Sequence, residues 1–192
     1  MKRINSLNDL LMEELADLWD AEDQLAQAFP KMIELSQSLA LKLVLENHLE
    51  VTKGHADRLE DIFNNARQRP QKAICKIMKN IIRESEDLAI TADKGPGRDA
   101  AIISIAQRIE RYEIDGYSTA REHAIDLGQA EMVEILDATL NEEREMHLNL
   151  SELAQYMINV QAIDPTGSYQ SDRQGPSEIA NNGFHTGSRF IK

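Results

Sequence analysis

The feature that most constrains this fold is a stripe of apolar residues near the amino terminus that a carboxylate interrupts. Apolar side chains recur at spacings of three and four and mark one face of an α-helix; they are Leu11, Leu15, Leu18, Leu25, Phe29 and Met32. At about 100° per residue, Glu22 lies roughly 40° from Leu18, inside this stripe. An unpaired buried charge costs many kcal/mol. Glu22 must therefore be paired, protonated or bound to a metal.

Three further segments have the same periodicity, and their order along the chain predicts the fold. The four helices are predicted over residues 6–38, 39–65, 99–127 and 129–160, with Asp99 as the cap of the third and Gly128 ending it. Short links join the first helix to the second and the third to the fourth. An amphipathic crossover of one or two short helices, residues 71–94, joins the second to the third. The sequence therefore predicts an all-α, ferritin-like antiparallel four-helix bundle with a long helical crossover between helices 2 and 3.

Composition indicates one helical domain followed by a polar segment. Aromatic residues make up 5% of the 192 residues, and Gly and Pro are scarce before residue 160. No alternating runs of β-branched residues indicate a sheet. We expect a bundle domain over residues 1–162 and a polar, flexible tail over 163–192, because the tail has too few large apolar residues to fold alone.

Charge and cysteine content exclude several classes of function. The net charge of -12 argues against nucleic-acid or anionic-membrane partners, since phosphate contacts need clustered Lys and Arg. The single cysteine, Cys75, excludes an internal disulfide and a Cys-rich metal site. No apolar run approaches the ~20 residues of a membrane span, and the amino terminus has no signal core. We expect a soluble, cytoplasmic protein.

Polar residues interrupt each of the four apolar stripes near mid-helix. They are Glu22 in the first helix, His48 and His55 in the second, Glu110 and Glu113 in the third, and Glu143 and His147 in the fourth. In an antiparallel bundle these positions share one layer. Carboxylates and imidazoles from several helices are the ligands of di-iron and di-manganese bundles, because hard oxygen ligands bridge two cations whose charge offsets the buried anions. The pattern predicts a buried metal-binding layer.

Each of these residues also has a simpler interpretation. A lone Glu in an apolar stripe usually tilts to solvent or pairs with Lys or Arg, and Arg108 and Arg111 flank Glu110. A lone histidine in a stripe is more often an ordinary buried residue than a ligand. The match of heights across four helices favours the metal-binding interpretation. Glu142, next to Glu143, is expected to point away from the layer.

Four segments resemble the signature segments of YciF-type proteins, which are bacterial ferritin-like stress proteins. They are residues 18–25 (LWDAEDQL), 48–55 (HLEVTKGH), 106–114 (AQRIERYEI) and 139–143 (TLNEE). The resemblance covers about residues 5–160. It implies a rubrerythrin-like four-helix fold, a di-metal carboxylate site and a homodimer. The matching carboxylates are Glu22, Glu110, Glu113 and Glu143.

The second helix departs from the family pattern. The family usually has a glutamate directly before the threonine of this helix, where this chain has Val51. Glu50 is adjacent, but helical periodicity places it on the face opposite His48. Either His48 or His55 substitutes, or a local change in winding turns Glu50 inwards, or one metal position is weakened. The fourth helix also departs, because its histidine follows the glutamate at the fourth position rather than the third.

These observations predict a protein that binds two metal ions, iron in preference to manganese. The expected ligands are Glu22, His48, Glu50, His55, Glu110, Glu113, Glu143 and His147, with Glu113 and Glu143 central and Glu22 and Glu110 terminal. The expected function is iron oxidation or the handling of peroxide or dioxygen under stress. The alternative is a non-catalytic, stress-induced bundle whose polar layer fixes helix register and which acts through dimerisation or protein partners.

Overall fold

Helices joined by short turns make up the described chain, residues 3–70 and 74–163 of a computed structural model; the predicted tail from residue 164 lies outside the described residues. The helices are α1 (Leu7–Leu35), α2 (Leu39–Asn65), α3 (Lys76–Thr91), α4 (Pro96–Asp126), α5 (Ala130–Leu153) and, after a π-helical turn at Ala154–Ile158, α6 (Asn159–Ile163). No strand occurs in these ranges. The all-α prediction is confirmed, and the domain boundary at residue 162 stays a prediction.

The four long helices form two antiparallel pairs. Helix α1 packs along α2 and α4 packs along α5, and the pairs meet where α1 contacts α4 and α2 contacts α5. The crossover between α2 and α4 contains α3, which lies against α1 and α4. This is the ferritin-like four-helix bundle that the sequence predicts.

Polar residues of α1 hold the start of the crossover in place. The Asp20 carboxylate accepts a hydrogen bond from the Cys75 amide at 2.7 Å, and Gln24 donates to the Cys75 carbonyl at 3.2 Å. The buried Cys75 thiol lies 3.0 Å from the hydroxyl of Tyr112, which donates to Asp17 at 2.5 Å. These contacts orient α3 before it crosses to α4.

The predicted caps are confirmed at Gly128 and corrected at Asp99. Gly128 follows α4 with a φ of 69°, in the left-handed region that favours glycine. Helix α4 begins earlier than expected, at Pro96. Asp99 is buried in its first turn and accepts hydrogen bonds from the backbone amides of Gln37 and Ser38, at 2.7 and 2.8 Å. Asp99 therefore joins α4 to the turn between α1 and α2.

The predicted fourth helix differs from the structure in its last turns. The sequence predicts one helix to about residue 160, whereas α5 ends at Leu153 and a π-helical turn separates it from α6. Ala154 and Ile158, at the two ends of this turn, are buried. These two residues are four apart, a spacing that also occurs on one face of an α-helix, so the sequence pattern does not reveal the wider turn.

Two hydrophobic clusters fill the bundle, one on each side of a polar layer. The cluster at one end includes Leu25, Phe29, Leu41, Leu45, Ile105, Ile109 and Leu150. The cluster at the other end includes Leu11, Leu15, Leu59, Phe63, Tyr117, Ala120 and Leu136. On every long helix the polar interruption lies between the residues of one cluster and those of the other. Apolar side chains therefore close the polar layer from both ends of the bundle.

Candidate metal centre

The polar layer consists of side chains almost completely removed from solvent. Seven of them are 0–1% exposed: Glu22, His48, Thr52, His55, Glu110, Glu113 and Glu143. Each lies where apolar periodicity would place a core residue, so helix formation itself turns these side chains inwards. All four long helices contribute at least one of them.

One group of four residues combines α2, α4 and α5. His48, Glu110, Glu113 and Glu143 each offer one ligand atom, and these four atoms lie within 4.8 Å of one another. Nε2 of His48 is 3.0 Å from Oε1 of Glu110. The ring of His48 meets that of Phe29 edge-on, with centroids 5.1 Å apart. One imidazole and three carboxylates therefore converge on a small volume.

A second group of three residues combines α1, α2 and α5. Glu22, His55 and Glu143 also place one ligand atom each within 4.8 Å of one another. Nδ1 of His55 is 2.7 Å from Oε1 of Glu143 and 3.5 Å from Oε1 of Glu22. Glu143 is the member that the two groups share. Glu113, expected to be central, belongs to one group only.

Most of the inward-facing polar atoms have no hydrogen-bond partner among the described residues. Both oxygens of Glu110, Glu113 and Glu143, one oxygen of Glu22, both ring nitrogens of His48 and Nδ1 of His55 are in this state. Buried polar groups without partners are rare and costly. The short distances within each group join atoms that converge on a shared centre without hydrogen-bond alignment. These residues fit a metal centre, since carboxylate oxygens and imidazole nitrogens are its ligands.

Burial favours the protonated form of the carboxyl groups when no cation is bound. It raises the pKa of Glu110 to about 8. Burial and the charges of Glu143 and Glu22 raise the pKa of Glu113 well above its ordinary value. Burial also raises the pKa of Glu22 and of Glu143. A cation bound in this layer would displace these protons.

The two histidines respond differently to the same layer. Burial lowers the pKa of His48, which leaves a neutral imidazole that can act as a ligand. Burial opposes protonation of His55 as well, but the carboxylates of Glu142, Glu143 and Glu22 outweigh it and raise the pKa to about 11. His55 is therefore a cation in the metal-free protein.

Two groups outside the layer contact its residues. The buried Tyr117 hydroxyl donates a hydrogen bond to Oε1 of Glu22 at 2.6 Å. Nε2 of His55 lies 2.8 Å from Glu142, which also binds Arg58 through both oxygens. Burial raises the pKa of Glu142, but His55 and Arg58 outweigh it and lower the pKa to about 2, so this carboxylate is ionised.

The structure does not bring Glu50 or His147 into either group, and this corrects the predicted ligand set. Glu50 lies on the exposed face of α2, where it pairs with Lys53 at 2.6 Å. Helix α2 is continuous from Leu39 to Asn65 and retains the periodicity that turns Glu50 outwards. His147 is partly buried, one turn beyond Glu143, and its Nδ1 has no partner among the described residues. Helix α2 instead supplies two imidazoles, His48 and His55.

Pairing of Glu110 with arginine, the main structural alternative, is not observed. Arg108 lies 3.5 Å from Glu84 on the surface. Arg111 is exposed, and Oε1 of Glu110 lies 3.0 Å from Nε2 of His48, whose imidazole is neutral. No lysine or arginine lies within ion-pairing distance of the four buried carboxylates in the described parts of the chain.

The hydrogen bonds that Glu142 and Tyr117 make with residues of the layer were not predicted from the sequence. Glu142 does lie outside the layer, as expected, but it contacts the outer nitrogen of His55. Its signal is the segment TLNEE at residues 139–143, in which two consecutive carboxylates reach one site from different directions. Tyr117 lies one turn after Glu113, on the same face of α4, which places its hydroxyl beside the layer.

Comparison with known proteins supports a single family. A family model described as "Domain of unknown function (DUF892)" matches residues 6–163. Protein YciF of Escherichia coli (strain K12) is 30% identical over 160 residues, which cover 83% of this chain and 96% of that protein.

Solved structures agree with the fold. The crystal structure of the E. coli stress protein YciF has a TM-score of 0.77 at 28% identity, covering 83% of this chain and 98% of that chain. YcfI from Rhodopseudomonas palustris has a TM-score of 0.74 at 36% identity, covering 78% of this chain and 96% of the other. In the described residues, no helix combines the length and hydropathy needed to cross a membrane.

Proposed function

This chain belongs to the DUF892 family, and from that premise we propose that it is a stress-response protein that binds two divalent metal ions, iron in preference to manganese. The observation that carries the proposal is the convergence of unpartnered, buried carboxylate and imidazole atoms in two groups that share Glu143. YciF, a relative of this chain, is described as a stress protein.

Charge balance supports two ions rather than one. The layer contains four carboxylates, Glu22, Glu110, Glu113 and Glu143, whose full ionisation gives four negative charges in an apolar interior. Two divalent cations would neutralise them, with His48 and His55 as neutral donors. The nitrogen donors favour iron, because imidazole suits iron whereas a set of oxygen ligands alone suits manganese or magnesium.

The residues of this chain would divide the work of the centre. When bound, paired iron ions would supply electrons to dioxygen or peroxide. Glu143 belongs to both residue groups and would contribute to both ion positions, and each histidine would provide a nitrogen to one of them. Tyr117 holds one oxygen of Glu22. The hydrophobic clusters on both sides of the layer exclude bulk water and strengthen its electrostatic interactions.

Metal analysis tests the proposal directly. Metal-free protein is titrated anaerobically with Fe²⁺, and two ions per chain are expected. Glu110→Ala removes a buried ligand and is expected to weaken binding, whereas Glu50→Ala, on the exposed face of α2, is the matched control. Loaded protein is then mixed with hydrogen peroxide or dioxygen, and iron oxidation is followed by absorbance. Failure of the wild-type protein to bind Fe²⁺ or Mn²⁺ would contradict the proposal.

The alternative is a non-catalytic bundle that acts through dimerisation or protein partners. The contacts of His48 with Glu110 and of His55 with Glu143 favour it, because such pairs can fix helix register without a metal. Under this alternative the purified protein contains no stoichiometric metal, and Glu110→Ala lowers the stability of the bundle. We also propose a homodimer in the cytoplasm, which size-exclusion chromatography with light scattering and cell fractionation test.

A further inference from the structure

One candidate ligand, His55, is held from outside the buried layer by charged side chains that reach solvent. Its Nε2 lies 2.8 Å from Oε2 of Glu142 on α5. Arg58, one turn further along α2, donates to both oxygens of Glu142 at 2.6 and 2.9 Å and to the hydroxyl of Thr139 at 3.1 Å. The Glu142 side chain is 39% exposed and that of Arg58 is 36% exposed. A polar contact line thus runs from the surface to the edge of the layer.

This line determines which ring nitrogen of His55 keeps its hydrogen when the cationic ring gives up one proton to become a ligand. A carboxylate paired with arginine through both oxygens is ionised and can only accept hydrogen bonds. Nε2 of His55 must therefore be the donor to Glu142. The other nitrogen, Nδ1, faces Glu143 at 2.7 Å and Glu22 at 3.5 Å. A neutral imidazole with its hydrogen on Nε2 presents the lone pair of Nδ1 to the space between these two carboxylates.

We propose that Glu142, held by Arg58, is a positioning residue that selects Nδ1 of His55 as a ligand and so completes the cation position formed by Glu22, His55 and Glu143. This inference rests on the proposed function. As a consequence, metal binding at the position that contains His55 depends on side chains at the protein surface. The position formed with His48 has no corresponding support, because neither ring nitrogen of His48 has a hydrogen-bond partner among the described residues.

The two positions should respond differently when Glu142 is removed. Loss of the partner that orients a histidine ligand typically weakens metal binding by about 10–100-fold. Glu142→Ala is therefore expected to weaken the binding of one of the two ions by about this factor and to leave the affinity for the other ion unchanged. Glu142→Gln retains an amide oxygen that can accept from Nε2, and it is expected to recover most of the lost affinity. If Glu142 acted through its charge alone, Glu142→Gln would not recover the lost affinity.

The experiment is an anaerobic Fe²⁺ titration of metal-free protein by isothermal titration calorimetry, analysed for two positions. The matched control is Asp137→Ala, because Asp137 lies on the same helix as Glu142 and pairs with Arg121 of α4 without contacting the layer. Arg58→Met removes the group that holds Glu142, and it is expected to weaken metal binding at the same position less than Glu142→Ala does. In zinc-loaded protein, long-range ¹⁵N–¹H spectra are expected to show His55 bound through Nδ1 and protonated on Nε2.

The outcomes separate this inference from the proposed function. If the wild-type protein binds no ion, both are overturned. If it binds two ions and Glu142→Ala binds both with unchanged affinity, or if Glu142→Ala and Asp137→Ala weaken binding equally, only the inference is overturned. If Glu142→Ala does not fold, Glu142→Gln and Arg58→Met decide the matter. The inference is overturned if Arg58→Met binds both Fe²⁺ ions with unchanged affinity and the spectrum of the zinc-loaded protein shows His55 bound through Nε2.

Discussion

Two imidazoles from α2 give each of the two residue groups in the layer one nitrogen donor. His48 and His55 lie two helical turns apart on the same face, on either side of Thr52, and each contacts a different carboxylate. At Val51, where the resemblance implies a glutamate, this chain has no carboxylate, and the side chains that α2 contributes to the layer are His48, Thr52 and His55. The layer keeps four carboxylates, a number that two divalent cations neutralise.

Tyr117 is expected to stabilise the layer through its hydroxyl. Tyr117→Phe leaves Oε1 of Glu22 buried without its donor, which should lower the free energy of unfolding of the metal-free protein by about 1–3 kcal/mol. Urea denaturation followed by circular dichroism measures the change. Tyr156→Phe, which removes a hydroxyl from a partly exposed tyrosine, is the control. An equal effect of the two substitutions would show that the contact with Glu22 contributes nothing.

Among individual residues, the sequence predicts the burial of side chains that interrupt an apolar stripe, but it does not predict the contacts of side chains beside the stripe. Glu22, Glu110, Glu113 and Glu143 could be predicted as buried because apolar neighbours one turn away fix their direction. Glu142 could not, because its contact with His55 depends on how α2 and α5 lie against each other. Partner choice across helices is a tertiary property that periodicity within one helix does not contain.

Asp99 connects elements that are distant in sequence, and its removal should destabilise the bundle. Its buried carboxylate accepts hydrogen bonds from the backbone amides of Gln37 and Ser38, in the turn before α2. Asp99→Ala is expected to lower the free energy of unfolding by about 1–3 kcal/mol, because it removes the buried carboxylate to which both amides donate. Thermal and urea denaturation provide the measurement. Asp115→Ala, at an exposed position of the same helix, should change stability little; comparable losses in both variants would contradict this role.

Two helical glycines offer an internal comparison of packing. An added Cβ at Gly54 meets nothing within 4 Å, so Gly54→Ala is expected to stabilise α2 by about 1 kcal/mol through helix propensity. At Gly116 the same atom would lie 2.8 Å from Cδ2 of the buried Leu18. Overpacking of this kind costs about 1–3 kcal/mol. Gly116→Ala should therefore be less stable than Gly54→Ala in urea denaturation; equal stabilisation would show that Leu18 moves freely.

At the scale of elements, periodicity predicted the four long helices and their order but not the winding of their ends. The range of α2 agrees with the prediction because a serine cap and a polar turn bound it. The start of α4 was misplaced because Asp99 is a good cap by type yet binds a neighbouring turn. The π-helical turn after Leu153 was missed because its buried residues, Ala154 and Ile158, are four apart, a spacing that also fits one face of an α-helix.

For the whole molecule, the arrangement of two apolar clusters around one polar layer links stability to pH. Glu110 titrates at about 8 in the folded protein and near its ordinary value of 4.5 when unfolded. His55 titrates at about 11 when folded, against an ordinary 6.5. Across these intervals the folded chain holds more protons than the unfolded chain, so both groups make stability fall as pH rises. Glu142, with its pKa lowered to about 2, contributes fully above pH 4.5 and does not change this trend.

The metal-free protein should therefore lose stability between pH 7 and 8.5, whereas bound metal should oppose the loss. Each excess proton on the folded chain corresponds to about 1.4 kcal/mol per pH unit. Urea denaturation at a series of pH values, with and without Mn²⁺, measures both slopes. Cations that replace these protons bind more tightly as pH rises, so the stabilisation by Mn²⁺ should increase across the same interval. The double variant Glu110→Gln/His55→Gln, which removes two of the shifted groups, should flatten the metal-free slope. If it keeps the wild-type slope, the pH dependence arises outside the polar layer.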